Sequence, residues 1–153
     1  MIVYRLAKAK YIHDLSGRGA EKTGGRWNSK GVAVVYTSES RALCLAEIAV
    51  HVSLGIVPKD YEIATIEIPD SINIFEISID KLPKSWLSIP HSGDTQEKGD
   101  KLIKDNEHLI IKVPSAVVPG DFNYLINPNH SEIQKVKILN TEKFNFDDRL
   151  FLK

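Results

Sequence analysis

Residues 24–28 read Gly24-Gly25-Arg26-Trp27-Asn28, which joins two properties useful for holding an anion. Paired glycines let the backbone approach a ligand closely, and an arginine presents a planar fork of donors matched to a diphosphate. Arg5, on the first apolar segment, offers a second clamp of the same kind. Glu47 is a lone carboxylate in the apolar run Leu43-Cys44-Leu45-Ala46-Glu47-Ile48-Ala49-Val50. Such a group lies either on an exposed stripe or in a site, and the pattern leans slightly to the stripe. Tyr36 closes a short apolar run and either fills a core or walls a pocket for a flat ring. Ser115, and Asn123 to Pro128, bring small and amide groups whose routine work is turn and cap chemistry. The glycine-rich stretch fits neither a P-loop nor the Gly-x-Gly-x-x-Gly opening of a dinucleotide fold. His51 shares a helical face with Glu47, yet the two-histidine zinc motif is absent and no metal site is expected.

These groups must be carried by strands and one main helix. Residues 2–6 read as a strand, and residues 16–31, with five glycines, as a loop. Residues 32–36 read as a buried strand. A helix is expected over 39–53, capped by Thr37 or Ser38, with Glu39 at its positive end. Strands follow over 61–69 and 71–78, then a loop region over 81–99 with a short helix near 98–104. Residues 108–114 form a strand, 114–130 are mostly irregular with 124–126 extended, and 135–144 form the last strand before a polar tail. The fold class is α+β, one domain over residues 1–153 with strands outnumbering helices.

Composition narrows the function. Twenty basic residues balance twenty acidic ones, so the formal net charge is zero. A protein built to grip nucleic acid is basic, and no partner of that kind is expected. Cys44 is the only cysteine, which excludes an intrachain disulfide and a cysteine zinc cluster and suits a reducing compartment. The N-terminal MIVYRLAKAKY is too polar for a signal peptide, and no segment approaches the length of a membrane span. The expectation is a cytoplasmic chain with no membrane partner.

Taken together, Tyr4-Arg5, Gly17 to Ala20, Gly24 to Asn28, Val35 to Ser38, Glu47, Pro114 to Pro119 and Asn123 to Pro128 with His130 resemble the RES-domain signature. The similarity runs from residue 4 to about residue 130. It implies a toxin of a type II toxin–antitoxin pair, with an ADP-ribosyltransferase-like fold, a cognate Xre-like antitoxin and a homodimeric core. Arg26, Glu47 and Ser115 best match the arginine, glutamate and serine that name the family, with Arg5 competing for the arginine. By the same resemblance Arg26, Tyr36 and Glu47 line an NAD pocket. Arg5, Gly25, Ser115 and Asn127 complete the expected NAD-contacting set. NAD enters as substrate, and no cofactor is expected.

The chemistry suits those residues. Nicotinamide leaves NAD neutral, so no strong general acid is needed, while positive charge builds on the ribose as in glycoside cleavage. A fixed carboxylate stabilises that charge, which is the role expected of Glu47. Arg26 would hold the diphosphate and Tyr36 would pack by the nicotinamide. Ser115 either contacts substrate or orients Glu47. The leading expectation is NAD degradation by hydrolysis or by phosphorolysis with inorganic phosphate. ADP-ribosyl transfer to a host metabolic protein is the alternative acceptor chemistry, and an inert binding module is the reading from another class.

Overall fold

The computed structural model describes residues 1–152, so the last residue of the expected domain span lies outside the described residues. Seven strands and three α-helices are present among them. The strands are β1 (Ile2–Lys8), β2 (Val35–Ser38), β3 (Tyr61–Glu67), β4 (Ile74–Glu76), β5 (Ile110–Pro114), β6 (Phe122–Ile126) and β7 (Lys137–Phe144). The helices are α1 (Arg18–Thr23), α2 (Arg41–Ala49) and α3 (Gly93–Asp105). All strands join one sheet in the order β4-β5-β6-β2-β1-β3-β7. Only β4 and β5 pair in parallel. The expected class, α+β with more strands than helices, is what the chain adopts.

Strand alternation gives the sheet two different faces. Register pairs Tyr4 with Ser38, Ser38 with Asn123, Tyr36 with Leu125 and Ile111 with Leu125. These residues therefore share one face. Leu6 and Ile63 continue it with Cys44 of α2 in one apolar cluster, and Val34, Ile111, Val113 and Leu125 form another with Trp27, Trp86 and Ile103. The opposite face carries Val3, Val35, Ala64, Ile66, Ile110 and Ile126, packed with Ile12, Ile68 and Leu109. Each buried isoleucine or leucine here contributes roughly 1.5–3 kcal/mol relative to exposure.

The helices depart from the expected boundaries for identifiable reasons. Residues 16–31 are not all loop: α1 fits between Gly17 and Gly24, whose positive φ values of 73° and 68° turn the chain into and out of it. Thr37 and Ser38 do not cap α2, because both belong to β2. Ser40 does, its hydroxyl accepting from the Leu43 amide at 3.0 Å. Glu39 is not in the helix either; its carboxylate accepts the Phe122 amide at 2.9 Å. The helix near 98–104 is longer than expected and spans Gly93–Asp105. Gly99 weakens it by propensity, yet a Cβ there would lie 1.8 Å from the Trp27 carbonyl oxygen. Close packing of α3 on the Gly25–Asn28 turn thus decides the residue. The polar tail is also anchored: Phe146 and Phe151 are buried with Leu6 and Ile63, and Tyr61, Phe144, Phe146 and Phe151 make edge-to-face contacts.

Candidate active site

The Gly25–Asn28 turn is fixed from below by β2 and from the side by α3. Gly25 and Asn28 form an isolated antiparallel bridge. The Tyr36 hydroxyl accepts from the Trp27 amide at 3.1 Å and donates to Asn28 Oδ1 at 2.8 Å. Asn28 Nδ2 donates to the Ala20 and Val32 carbonyls, and Gln96 Nε2 of α3 donates to the Gly25 and Asn28 carbonyls. A Cβ at Gly25 would come within 2.7 Å of the Tyr36 hydroxyl, so glycine is required there. Burial pushes the Tyr36 phenol far above its ordinary pKa, with the Trp27 hydrogen bond opposing. Tyr36 therefore stays a neutral phenol, its hydroxyl holding the turn that presents Arg26.

The Arg26 guanidinium is half-buried. Its Nη1 donates to the Trp86 carbonyl at 2.5 Å and to the Ser88 carbonyl at 3.3 Å. Partial desolvation lowers its pKa, and the nearby Glu47 and Tyr36 act against that shift. The same carboxylate lies near enough to influence Tyr36. Arg26, Tyr36 and Glu47 are thus a cluster in the sense that each lies within electrostatic reach of the others.

Glu47 lies on the inward side of α2, not on an exposed stripe. It follows the buried Leu43 by four residues and Cys44 by three, so all three point toward the sheet. Its Oε1 accepts from Ser115 Oγ at 2.9 Å and from Asn123 Nδ2 at 2.6 Å. Ser115 is itself 3% exposed, and its hydroxyl accepts the Val117 and Val118 amides at 3.1 and 3.0 Å. Hydrogen bonds to a charged carboxylate contribute roughly 1.5–3 kcal/mol each. Burial raises the Cys44 thiol to about 11, keeping it protonated. His51 lies beyond the end of α2 and is exposed.

Two members of the expected contact set are placed elsewhere. Arg5 lies between Tyr4 and Leu6 on β1 and so faces the other side of the sheet. Its Nη1 donates to the carbonyls of Tyr11, Ile12 and Asp14 at 3.0, 3.0 and 2.7 Å, tying down the turn after β1. The structure does not bring it to Arg26 as a second clamp. Asn127 sits four residues beyond Asn123, roughly 13 Å along an extended chain. It is fully buried, donates to the Ile103 carbonyl and Asn106 Oδ1, and accepts the Asn129 amide. It holds the C-terminal end of α3. Conversely, Asn123 touches Glu47, although sequence alone showed only an amide in a turn-rich segment.

Two open hollows lie outside this cluster. One, of about 460 Å³, is bordered by Ser16, Arg18, Glu21 and Lys104; the other, of about 510 Å³, runs along α3 past Gln96 and Asp100. Neither gathers a carboxylate, an arginine and an aromatic ring as the cluster does.

The RES domain family matches residues 2–147. The chain belongs to that family. The Prs ADP-ribosylating toxin of Sphingobium sp. (strain YBL2) is 36% identical over 149 residues, covering 96% of this chain and 92% of the relative. A Toxin Res of Yersinia enterocolitica is 35% identical over 152 residues, covering 98% and 99%, and one from Photorhabdus laumondii is 36% identical over 154 residues, covering 98% and 97%. The fold is shared with a chain of the Mycobacterium tuberculosis MbcT–MbcA toxin–antitoxin complex, with a TM-score of 0.74 at 18% identity over 98% of this chain and 86% of that one. Within this chain Ser115 donates to Glu47, and Arg26 lies near enough for the Glu47 charge to act on it.

Proposed function

We propose that this RES-family toxin cleaves the nicotinamide–ribose bond of NAD, acting in the cytoplasm as a homodimer restrained by a cognate Xre-like antitoxin. The observation that carries the reading is the Glu47 carboxylate, fixed through one oxygen beside Arg26 and Tyr36. No hydrogen bond among the described residues engages its second oxygen. In the proposed reaction the ribose–nitrogen bond breaks and its electron pair leaves with neutral nicotinamide. Glu47 stabilises the oxocarbenium charge through its free oxygen. The acceptor then bonds to the same ribose carbon and loses a proton to solvent. Arg26 keeps Nε and Nη2 for the diphosphate while its Nη1 is held by the two carbonyls. Tyr36 serves this reading by fixing the turn, with its ring beside the nicotinamide.

Water or inorganic phosphate as acceptor gives NAD degradation. A second reading, transfer of ADP-ribose to a protein, is favoured by the name of the Sphingobium relative, an ADP-ribosylating toxin. Both use the same cluster. The test is induction of the chain without its antitoxin while NAD and ADP-ribosylated protein are measured together. Degradation predicts NAD falling before growth stops, with ADP-ribose free or phosphorylated. A steady NAD pool with one labelled protein band at arrest establishes the transferase. Undisturbed growth under strong expression of folded chain contradicts both.

A further inference from the structure

We infer that Asn123 is a positioning residue that dedicates one oxygen of Glu47 to the protein and leaves the other for substrate. The inference rests on the reading of Glu47 given above. Asn123 Nδ2 donates to Glu47 Oε1 at 2.6 Å, the same oxygen that Ser115 Oγ reaches at 2.9 Å. Two donors on one oxygen set the carboxylate plane and keep Oε2 unpartnered. The amide orientation is set by the carboxylate, which only accepts, and Ser38 Oγ completes the arrangement by donating to Asn123 Oδ1 at 2.7 Å from the neighbouring strand. A turned amide would aim Oδ1 at the carboxylate, oxygen against oxygen. Ser38 and Asn123 are directly opposed in the β2–β6 register, so backbone pairing fixes where this bond forms. The chain Ser38–Asn123–Glu47 therefore runs from the sheet to the carboxylate. Ser115, tied to the Val117 and Val118 amides, closes on the same oxygen from the loop after β5.

The groups whose charge reaches Glu47 are Arg26 from the turn, Tyr36 from β2 and Cys44 one helical turn earlier. Tyr36 and Cys44 stay protonated and Arg26 stays charged through the neutral range. A new titration introduced beside Glu47 is thus readable. Asn123→Asp has the shape of asparagine and sets two carboxyl groups edge to edge. Like charges this close hold one proton between them. While that proton is present, the introduced carboxyl group donates as the amide did; once it is lost, repulsion moves Glu47 out of place.

The experiment uses the full chain freed of antitoxin, with NAD as probe. Asn123→Ala is expected to lower kcat for nicotinamide release roughly tenfold to a hundredfold, leaving KM within about twofold. Asn123→Asp is expected to lose rate, relative to wild type at each pH, as pH rises from 6 to 9. An Asn123→Ala enzyme with normal kcat, or an Asn123→Asp profile that does not fall, overturns the inference. Glu47→Gln separates the two claims: normal turnover in that variant removes the catalytic reading, whatever Asn123 does.

Discussion

The two faces of β2 and β6 use polar groups differently. On the face beneath α2, side chains bond to one another: Ser38 to Asn123, Asn123 and Ser115 to Glu47, Tyr36 to Asn28. On the opposite face they bond to backbone: Thr37 to the Tyr124 carbonyl at 2.7 Å, and Arg5 to three carbonyls after β1. The surroundings on that face are otherwise isoleucine, valine, leucine, alanine and one tyrosine at 0–8% exposure. Thr37 is satisfied by backbone and serves as scaffold, since its partner is fixed by the fold. A carboxylate held through one oxygen by other side chains retains binding capacity. The two arginines, alike in sequence, differ in setting: Arg5 faces the other side of the sheet, and Arg26 lies near enough for the Glu47 charge to act on it.

The sharpest way to break this comparison is to alter the carboxylate without changing its shape. Glu47→Gln keeps an oxygen for Ser115 and Asn123 but removes the charge. It should lower kcat about a hundredfold or more with NAD binding and thermal unfolding close to wild type. Nicotinamide release, NAD titration and a melting curve on one preparation check all three. Near-normal turnover would erase the distinction between the faces.

The two arginines test it next. Arg26→Ala removes a charge-assisted clamp and should raise KM for NAD about tenfold to a hundredfold, while stability changes little. Arg5→Ala should do the reverse. It strands three carbonyls, costs about 1–3 kcal/mol of unfolding free energy, and leaves KM unaltered in the molecules that remain folded. Denaturant unfolding and steady-state kinetics on both variants separate the roles. A KM effect from Arg5→Ala would place that arginine in the site.

The smallest effect is alkaline. The Cys44 thiol in the folded chain is raised to about 11, and Tyr36 is raised as well, both by burial. A group whose folded pKa exceeds its unfolded value contributes full stability below the unfolded pKa and loses it as pH rises through the folded one. Melting temperature should therefore decline from about pH 9 upward, and Cys44→Ala should flatten part of that decline. An unchanged slope in Cys44→Ala would mean the thiol is not buried as described.

Much of the scaffold was legible because the strands follow the apolar pattern closely. β1, β3, β5 and β7 lie within or near their expected ranges. β2 runs from Val35 to Ser38, a shift toward the C-terminus that takes Thr37 and Ser38 out of the capping position. The helices were harder, since tertiary contacts override local preference: α3 contains Gly99 where only hydrogen fits against Trp27. Ser115 meets Glu47, and Arg26 and Tyr36 lie within electrostatic reach of that carboxylate, a grouping that the family resemblance implied and residue type alone did not. The residue pattern leaned slightly to an exposed stripe for Glu47, whereas its carboxylate is turned inward to Ser115 and Asn123. Arg5 and Asn127 looked equivalent to Arg26 and Asn123 as residue types. Arg5 is set apart by strand alternation and Asn127 by its place past the end of β6, neither of which local composition encodes. Ser38 and Asn123, 85 residues apart, meet only across a strand pair.

The most direct test of the central claim is to incubate the purified, antitoxin-free wild-type chain with NAD and count nicotinamide released per enzyme, with added phosphate and with cell lysate as acceptors. The account predicts multiple turnovers, with ADP-ribose recovered in free, phosphorylated or protein-bound form in amounts equal to the nicotinamide. Intact NAD after long incubation with folded protein, together with no labelled protein in the lysate, would contradict it.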